Sequence, residues 1–141
     1  MSIASMDYPH PVPTPLTQPF WDGCRQHKLM MQQCTACNRM RFYPCEGCPY
    51  CRSTEYRWTE VSGRGSLYSW IVVHRSVDPV WQARAPFVTG IVELEEGKGV
   101  LVPGIILGVA PDAVRAGMKL QVEFEQTDAE TTVPRWRVVP G

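Results

Sequence analysis

Two cysteine pairs of equal spacing constrain this chain more than any other feature. Cys34 and Cys37 form one Cys-x-x-Cys pair, Cys48 and Cys51 form the second, and ten residues separate them. Each pair predicts a tight turn that points two sulfur atoms at one ion, and the segment between them predicts a hairpin that brings the turns together. Four thiolates in a closed tetrahedral shell favour a structural Zn²⁺ ion.

Two other uses of these four cysteines remain open. Disulfides suit secreted chains, but the sequence shows no signal-peptide pattern and no apolar run of membrane-spanning length. We therefore expect a cytoplasmic protein that does not enter a membrane, in a compartment that keeps thiolates reduced. An iron or iron–sulfur centre is the second alternative, and its colour would distinguish it from zinc.

The other two cysteines, Cys24 and Cys45, have no equivalent pairing. Cys24 lies in a predicted helix and reads as a buried apolar residue. Cys45 lies between the two pairs as a spare thiol or an alternative ligand, although a Cys45/Cys48 pair would leave Cys51 unused. A catalytic role for either thiol would require a neighbouring base that lowers its pKa.

The charge balance argues against a dedicated nucleic-acid binder. The 141 residues include 14 basic and 14 acidic side chains, whereas such binders usually carry a strong basic excess. Basic residues nevertheless gather around the cysteines: Arg25, Lys28, Arg39, Arg41, Arg52 and Arg57. They either offset the negative charge of four thiolates or form a patch for a phosphate-bearing ligand, such as the nucleotide end of coenzyme A.

The first part of the chain predicts an arm, a helix and a ribbon. Residues 1–16 contain four prolines and no apolar periodicity, which predicts a flexible or extended arm. Residues 17–31 predict one helix, capped by Thr17 or Gln18 with Pro19 in its first turn. This helix, which starts with Phe-Trp, packs either on its own domain or on a partner. Together with the cysteines it forms a predicted unit of residues 17–55, a helix plus a rubredoxin-like zinc ribbon.

From residue 56 onward the apolar pattern changes to a period of two. Short strands are predicted near residues 56–61, 67–75, 87–95, 100–108, 120–125 and 136–139, with a bulge or bend at Pro103-Gly104. The long loop 77–86 carries Trp81, as a lid or as an exposed contact. The fold class is therefore mainly β, and residues 56–141 predict a small five-to-six-stranded OB-type barrel. An SH3-like barrel is the nearest competitor.

The sequence offers little catalytic chemistry of its own. It contains three histidines, and it has no Gly-x-Ser-x-Gly elbow, phosphate-binding loop or His-Glu-x-x-His motif. No pair of carboxylates stands out as an acid–base couple. These observations favour a binding or scaffolding role over catalysis.

Several motifs together resemble a known family of zinc-ribbon/OB-fold proteins associated with acyl-CoA metabolism, once catalogued only as a domain of unknown function. The resemblance extends from about Pro19 to Pro140. It is carried by Pro19-Phe20-Trp21, the two cysteine pairs, Tyr43-Pro44, Val61-Ser62-Gly63-Arg64-Gly65, Val92-Glu93-Leu94, and Gly117-Met118 followed by Val122-Glu123-Phe124. Two positions depart from the family pattern: Asn38 stands where Gly is usual, and Cys45 stands where Arg is usual.

The resemblance implies a small accessory subunit without catalysis of its own. Its expected partner is a thiolase-like catalytic subunit in a hetero-oligomer, acting in aromatic or steroid-type acid degradation, with acyl-CoA at the shared interface. A hydratase or aldolase partner is the alternative. The candidate contacts to the partner or to coenzyme A are Phe20, Trp21, Arg25 and His27.

Two readings from other classes compete with the accessory subunit. A single-stranded nucleic-acid binder would use exposed aromatic and basic residues of the barrel, namely Tyr68, Trp70 and Arg75. The neutral charge and the acidic run at Glu93–Glu96 argue against nucleic acid as a partner. A free-standing enzyme would use the thiol of Cys45 or Cys24.

Overall fold

The structure is a computed structural model that describes residues 9–140 of the chain. The elements are α1 (Gln18–Arg25), β1 (Leu29–Cys34), β2 (Met40–Arg41), β3 (Tyr56–Val61), β4 (Arg64–Val73), α2 (Pro79–Arg84), β5 (Phe87–Leu94), β6 (Leu101–Leu107), a 3₁₀ turn (Pro111–Ala113), β7 (Lys119–Gln126) and β8 (Thr132–Val138). Three strands form an antiparallel sheet in the order β2-β1-β3, and five form a closed barrel in the order β4-β5-β6-β8-β7.

The barrel has the strand order expected of an OB-type fold. Its strands pair antiparallel except for β6 and β8, which run parallel where Ile106 faces Trp136 and close the barrel. The predicted fold class, mainly β with a helix, a zinc ribbon and an OB-type barrel, is therefore confirmed. No helix among residues 9–140 is long and apolar enough to cross a membrane.

Helix α1 ends at Arg25, so the prediction of one helix over residues 17–31 is wrong at its C-terminal end. The N–H of His27 donates to the carbonyl of Cys24 (3.0 Å), and the N–H of Lys28 donates to that of Gly23 (2.8 Å). This is the Schellman pattern, with His27 in the left-handed conformation at φ 59°. The chain then reverses onto the helix, where a Cβ on Gly23 would lie 2.5 Å from Cγ of Met30.

Strand β3 belongs to the ribbon sheet and not to the barrel. It pairs with β1 along its whole length, from Leu29 opposite Val61 to Cys34 opposite Tyr56. The prediction that the period-two pattern from residue 56 starts the barrel is therefore wrong for this one strand. The division of the chain into residues 1–16, 17–55 and 56–141 otherwise stays a prediction.

The predicted bulge at Pro103-Gly104 is also wrong. Both residues pair in regular register with β5, Pro103 with Ile91 and Gly104 with Gly90. The irregularity lies in β4, between Leu67 and Ser69. Gly104 instead makes room for an indole ring, because a Cβ there would lie 2.7 Å from Cδ1 of Trp136.

One continuous apolar core joins the helix, the ribbon and the barrel. Its buried members come from all three parts: Phe20, Cys24, Leu29, Met31, Val61, Leu67, Val88, Val92, Leu94, Val100, Val102, Ile106, Val114, Leu120 and Trp136. Residues 1–8 of the predicted arm lie outside the described residues. The rest of the arm, residues 9–16, begins near the β7–β8 turn, where Nδ1 of His10 is 3.5 Å from Oδ2 of Asp128.

The outer surface of β7 and β8 carries a small ion-pair network around Glu125. Its carboxylate accepts from Arg84 at 2.7 Å and from Arg135 at 2.9 Å. Partial burial works against ionisation, but the two guanidinium groups outweigh it and lower the pKa of Glu125 below its ordinary value of 4.5. A lowered pKa in the folded state stabilises the fold above pH 4.5, and this contribution is lost as the pH falls through the folded pKa.

We expect Glu125→Gln to remove that acid dependence. Near pH 7 the variant should lose about 1 kcal/mol or less of unfolding free energy, because solvent screens a pair that is partly exposed. The difference from the wild type should shrink as the pH falls below 4.5 and vanish below the folded pKa of Glu125. Urea unfolding across this pH range measures the difference. Glu123→Gln is the comparison on the same strand: among residues 9–140, Glu123 pairs with Arg137 alone and is more exposed than Glu125, so its loss should be smaller. A deficit that stayed constant with pH would contradict the ion-pair explanation.

Candidate metal centre

The two cysteine pairs form two equivalent turns. In the first, the N–H of Asn38 donates to the carbonyl of Cys34 at 2.9 Å; in the second, the N–H of Arg52 donates to that of Cys48 at 2.9 Å. Asn38 and Arg52 follow the second cysteine of each pair, and both have left-handed backbones, with φ of 69° and 67°. The structure thus explains why glycine suits these positions, and asparagine is among the residues that tolerate this conformation best.

The turns bring four sulfur atoms to one point. Sγ of Cys34 lies 3.6 Å from Sγ of Cys51, and Sγ of Cys37 lies 3.6 Å from that of Cys48. All four sulfur atoms lie within 4.8 Å of one another. A tetrahedral zinc ion with Zn–S bonds of about 2.3 Å requires sulfur atoms about 3.8 Å apart, so the site fits Zn²⁺. The predicted cofactor, structural zinc, is confirmed.

Backbone N–H groups favour the thiolate form at two of the four cysteines. The N–H of Cys37 lies 3.5 Å from Sγ of Cys34 and lowers the pKa of that thiol. Burial raises the pKa of Cys48, but the N–H groups of Cys51 and Tyr50 outweigh it and lower the value to about 6. At Cys51 the N–H of Ser53 lowers the pKa, but burial and the three neighbouring thiols outweigh it and raise the value to about 11. Backbone N–H groups therefore favour the thiolate at Cys34 and Cys48, whereas Cys51 would lose its proton on binding the ion.

The two remaining cysteines lie outside the site. Cys24 is fully buried in the core, and burial raises the pKa of its thiol to about 12, which disfavours a nucleophilic role. The thiol of Cys45 lies 3.1 Å from the carbonyl of Gly47. None of the six cysteines forms a disulfide.

A buried polar cluster that the sequence analysis missed holds the segment between the turns. Gln32 and Arg41 are only 1% and 4% exposed. Oε1 of Gln32 accepts from Nε of Arg41 (3.0 Å) and from the N–H of Cys45 (2.8 Å), and Arg41 also donates to the carbonyl of Cys45 (3.0 Å). The loop is held through the backbone of Cys45, so these contacts do not depend on its side chain. Polar residues within a short strand gave no periodic signal that could reveal the cluster.

Most of the basic residues near the cysteines have partners within the chain. Arg25 pairs with Asp22 at 2.8 Å, Arg57 donates to Gln33 at 3.2 Å, and the guanidinium of Arg39 lies over the ring of Tyr50. Arg41 is buried in the cluster described above. These contacts occupy side chains that a phosphate patch would need, and none of them is with a ligand sulfur, so the offset of thiolate charge stays a prediction.

The four predicted contact residues do not form one surface. Phe20 is 2% exposed and lies in the core, and Trp21 packs against that core from the outside. Arg25 and His27 are exposed, and the ring of His27 stacks on Phe124 with centroids 5.4 Å apart. Their role in binding a partner or coenzyme A stays a prediction.

One of the two aromatic residues of the predicted nucleic-acid face packs against the core and is only partly exposed at the surface. Trp70 packs against the barrel interior, whereas Tyr68 is 60% exposed. Trp81, predicted as a lid or a contact, lies on α2 with its ring 5.6 Å from that of Phe87 and from the guanidinium groups of Arg84 and Arg135. A surface that stacks the bases of single-stranded nucleic acid needs several exposed aromatic rings in succession, so the position of Trp70 counts against this reading.

Glycine at position 52 should stabilise the ribbon, because it removes the cost of a side chain in the left-handed conformation. We expect Arg52→Gly to gain about 0.5–1 kcal/mol of unfolding free energy. Arg52→Ala is the matched control: it removes the same charge but keeps Cβ, so it should show no gain. Competition with a zinc chelator and thermal unfolding measure both variants. Equal behaviour of the two would show that the backbone conformation carries no cost.

Fold and site together define a protein with an N-terminal helix, a four-cysteine zinc ribbon and an OB-fold barrel in one chain. Two family descriptions match it consecutively: the rubredoxin-like zinc ribbon domain of ChsH2 over residues 21–57, and the C-terminal OB-fold domain of ChsH2 over residues 58–125. The chain belongs to this ChsH2-type DUF35 family, which confirms the resemblance noted in the sequence.

Named relatives include two hydratase alpha subunits and a scaffold protein. A probable enoyl-CoA hydratase alpha subunit of Thermomonospora curvata is 34% identical over 119 residues, which are 84% of this chain and 36% of that protein. A 3-oxo-4,17-pregnadiene-20-carboxyl-CoA hydratase alpha subunit of Mycobacterium tuberculosis is 33% identical over 74% of this chain and 32% of that protein. The chain thus spans about a third of these two hydratase subunits. A DUF35 domain-containing scaffold protein of Methanocaldococcus jannaschii is 35% identical over 70% of this chain and 68% of that protein.

Two solved structures share the fold. A chain described as Ltp2-ChsH2(DUF35) aldolase superposes with a TM-score of 0.81 at 31% identity, covering 92% of this chain and 98% of that one. A DUF35 protein of unknown function from Sulfolobus solfataricus superposes at 0.61 with 14% identity, covering 89% and 86%, which shows the fold alone.

The predicted thiolase-like partner is not supported by these relatives. Their names point to hydratases and an aldolase, so the alternative partner class fits better than the main prediction. The broader part of the prediction, a zinc-binding accessory protein related to acyl-CoA enzymes, agrees with the comparisons.

Proposed function

We propose that this chain is a non-catalytic, zinc-stabilised accessory subunit of a cytoplasmic hydratase or aldolase that acts on acyl-CoA thioesters. The observation that carries the proposal is the close match, over 92% of the chain, to the DUF35 chain of an aldolase. The two hydratase alpha subunits support the same class, because the matching segment is a part of each.

The chemistry of the described residues supports a role without catalysis. Among residues 9–140, the cysteine site is the one group of three or more His, Cys, Asp or Glu side chains placed to hold a metal, and its four ligands leave no open position for substrate. The histidines lie apart, with His10 beside Asp128 and His27 on Phe124. Hydration of an enoyl thioester or cleavage of a carbon–carbon bond requires positioned acid and base groups, which a partner would supply.

Reconstitution tests this proposal. The tagged chain is purified gently from its own host, the co-purifying subunit is identified by native mass spectrometry, and both are then expressed separately. We expect a stoichiometric hydratase- or aldolase-type partner. The pair should hydrate enoyl-CoA or cleave a β-hydroxyacyl-CoA, and the chain alone should do neither. Turnover by the chain alone, or recovery of the chain with nucleic acid or with no partner, would overturn the proposal.

A further inference from the structure

The outer surface of β4, β5 and β6 has an uncharged centre. The strand register aligns Ile71, Thr89 and Ile105 in one row and Ser69, Ile91 and Pro103 in the next. Ile71 is 63% exposed and Ile91 is 37% exposed. We call these six residues the β4–β6 face.

Barrel stability does not require apolar residues on this face. The alternate residues of the same strands fill the interior, with Val88 2%, Val92 0% and Ile106 4% exposed. Where a sheet faces water, outward positions are normally polar. The opposite side of this barrel follows that rule, because Glu123 pairs with Arg137 and Glu125 with Arg135 on the outside of β7 and β8.

An apolar groove continues the face at one end. Its lining is mostly apolar and includes Trp81, Pro86, Phe87, Ile105 and Leu107 together with the charged Arg84, around a space of about 240 Å³. Ile105 belongs to both the groove and the face. A flat apolar surface beside a groove lined by aromatic rings is the arrangement that receives an anchoring side chain at a protein interface.

The size of the face indicates what covers it. Three strands at about 4.8 Å spacing and two rows of outward residues, each about 6.8 Å along the strand, give a footprint of about 200 Å². A pair of identical faces would bury about 400 Å², well below the roughly 1,200 Å² of a specific interface. A larger subunit can use the face as the centre of its contact and add a polar rim from the surrounding loops.

We propose that the β4–β6 face and its Trp81 groove are where the catalytic subunit docks. This inference rests on the proposed function and adds the surface to it. It differs from the contact predicted from the sequence at α1, because that helix turns Phe20 and Cys24 into the core. The partner should present an uncharged surface of its own, with an apolar side chain that enters the groove.

Acidic substitutions at exposed positions test the surface. Ile71→Asp and Ile91→Asp should weaken binding of the catalytic subunit by at least about 100-fold, since each buries an unpaired charge in an apolar contact. Their melting temperatures should change little because both side chains point outward. Val12→Asp is the matched control, because Val12 is 83% exposed and lies outside the face. Arg25→Glu tests the contact at α1. Both of these variants should bind like the wild type.

The outcomes separate this inference from the proposed function. If the wild type binds a hydratase- or aldolase-type subunit and Ile71→Asp binds equally well, the docking surface is wrong and the function stands. If Arg25→Glu alone loses binding, the contact lies at α1. If sedimentation shows that the isolated chain is a dimer that Ile71→Asp dissociates, the face joins two copies and the inference is overturned. If the wild type binds no such subunit, the proposed function itself fails.

Discussion

Replacement of Cys48 by serine is expected to release zinc and unfold the ribbon. Cys48 is 3% exposed, and its Sγ is one of four ligands within 4.8 Å of one another. Loss of a neighbour that only orients a ligand typically costs 10–100-fold in metal affinity, so loss of a ligand should cost more than about 100-fold. Because the binding free energy of a structural zinc site is folding free energy, residues 29–61 should lose their amide protection.

Cys45→Ser is the matched control for this experiment, since it changes the same atom three residues earlier in the same loop. Its thiol lies outside the ligand set, and the loop is held by the Cys45 backbone, so this variant should keep both zinc and protection. Metal content and hydrogen exchange measure both variants, and a chelator applied to the wild type should reproduce the effect of Cys48→Ser. If Cys48→Ser kept its ribbon protection without metal, the ion would have no structural role.

The barrel is expected to respond less than the ribbon. Leu67, Val92 and Trp136 are buried within the barrel itself, whereas the ribbon contributes few buried residues of its own. Exchange in β5, β6 and β8 should therefore remain slow in Cys48→Ser. Some loosening is expected where Val61 and Leu29 join the shared core.

The zinc site was predictable from sequence because its geometry is local. A Cys-x-x-Cys turn fixes two sulfur atoms within four residues, so spacing alone specifies most of the site. The barrel was predictable for a related reason: Leu120, Val122 and Phe124 alternate with polar residues, and that period implies strands wherever they pair.

The errors came from contacts between residues distant in sequence or from turns without glycine. The end of α1 was missed because His27, and not glycine, takes the left-handed position that stops the helix. Strand β3 was assigned to the barrel because a period of two does not reveal which sheet a strand joins. The motifs that identified the family describe its zinc site and barrel, and they contain no information about which enzyme binds it. The prediction of a thiolase partner is for this reason not supported by the named relatives.

Trp136 closes the barrel, and its truncation should destabilise the fold more than that of any other single core side chain. The sequence placed it only on a last short strand. In the structure it is 0% exposed and faces Ile106 across the parallel β6–β8 contact and Val122 across the antiparallel one. Gly104 gives the indole its space, which is why a glycine stands in a regular part of β6. Trp136→Ala should cost about 3–5 kcal/mol of unfolding free energy.

Trp136→Phe separates packing from hydrogen bonding at the same position. Nε1 of Trp136 is buried and has no hydrogen-bond partner among the described residues, so phenylalanine removes an unsatisfied donor along with part of the ring. We expect the two effects to oppose each other and the loss to stay below about 2 kcal/mol, smaller than that for alanine. Denaturant unfolding of zinc-loaded protein measures both variants. Equal losses for Trp136→Ala and Trp136→Phe would mean that the indole N–H makes a hydrogen bond that helps to close the barrel. A loss below 1 kcal/mol for Trp136→Ala would mean that the parallel β6–β8 contact holds without its largest side chain.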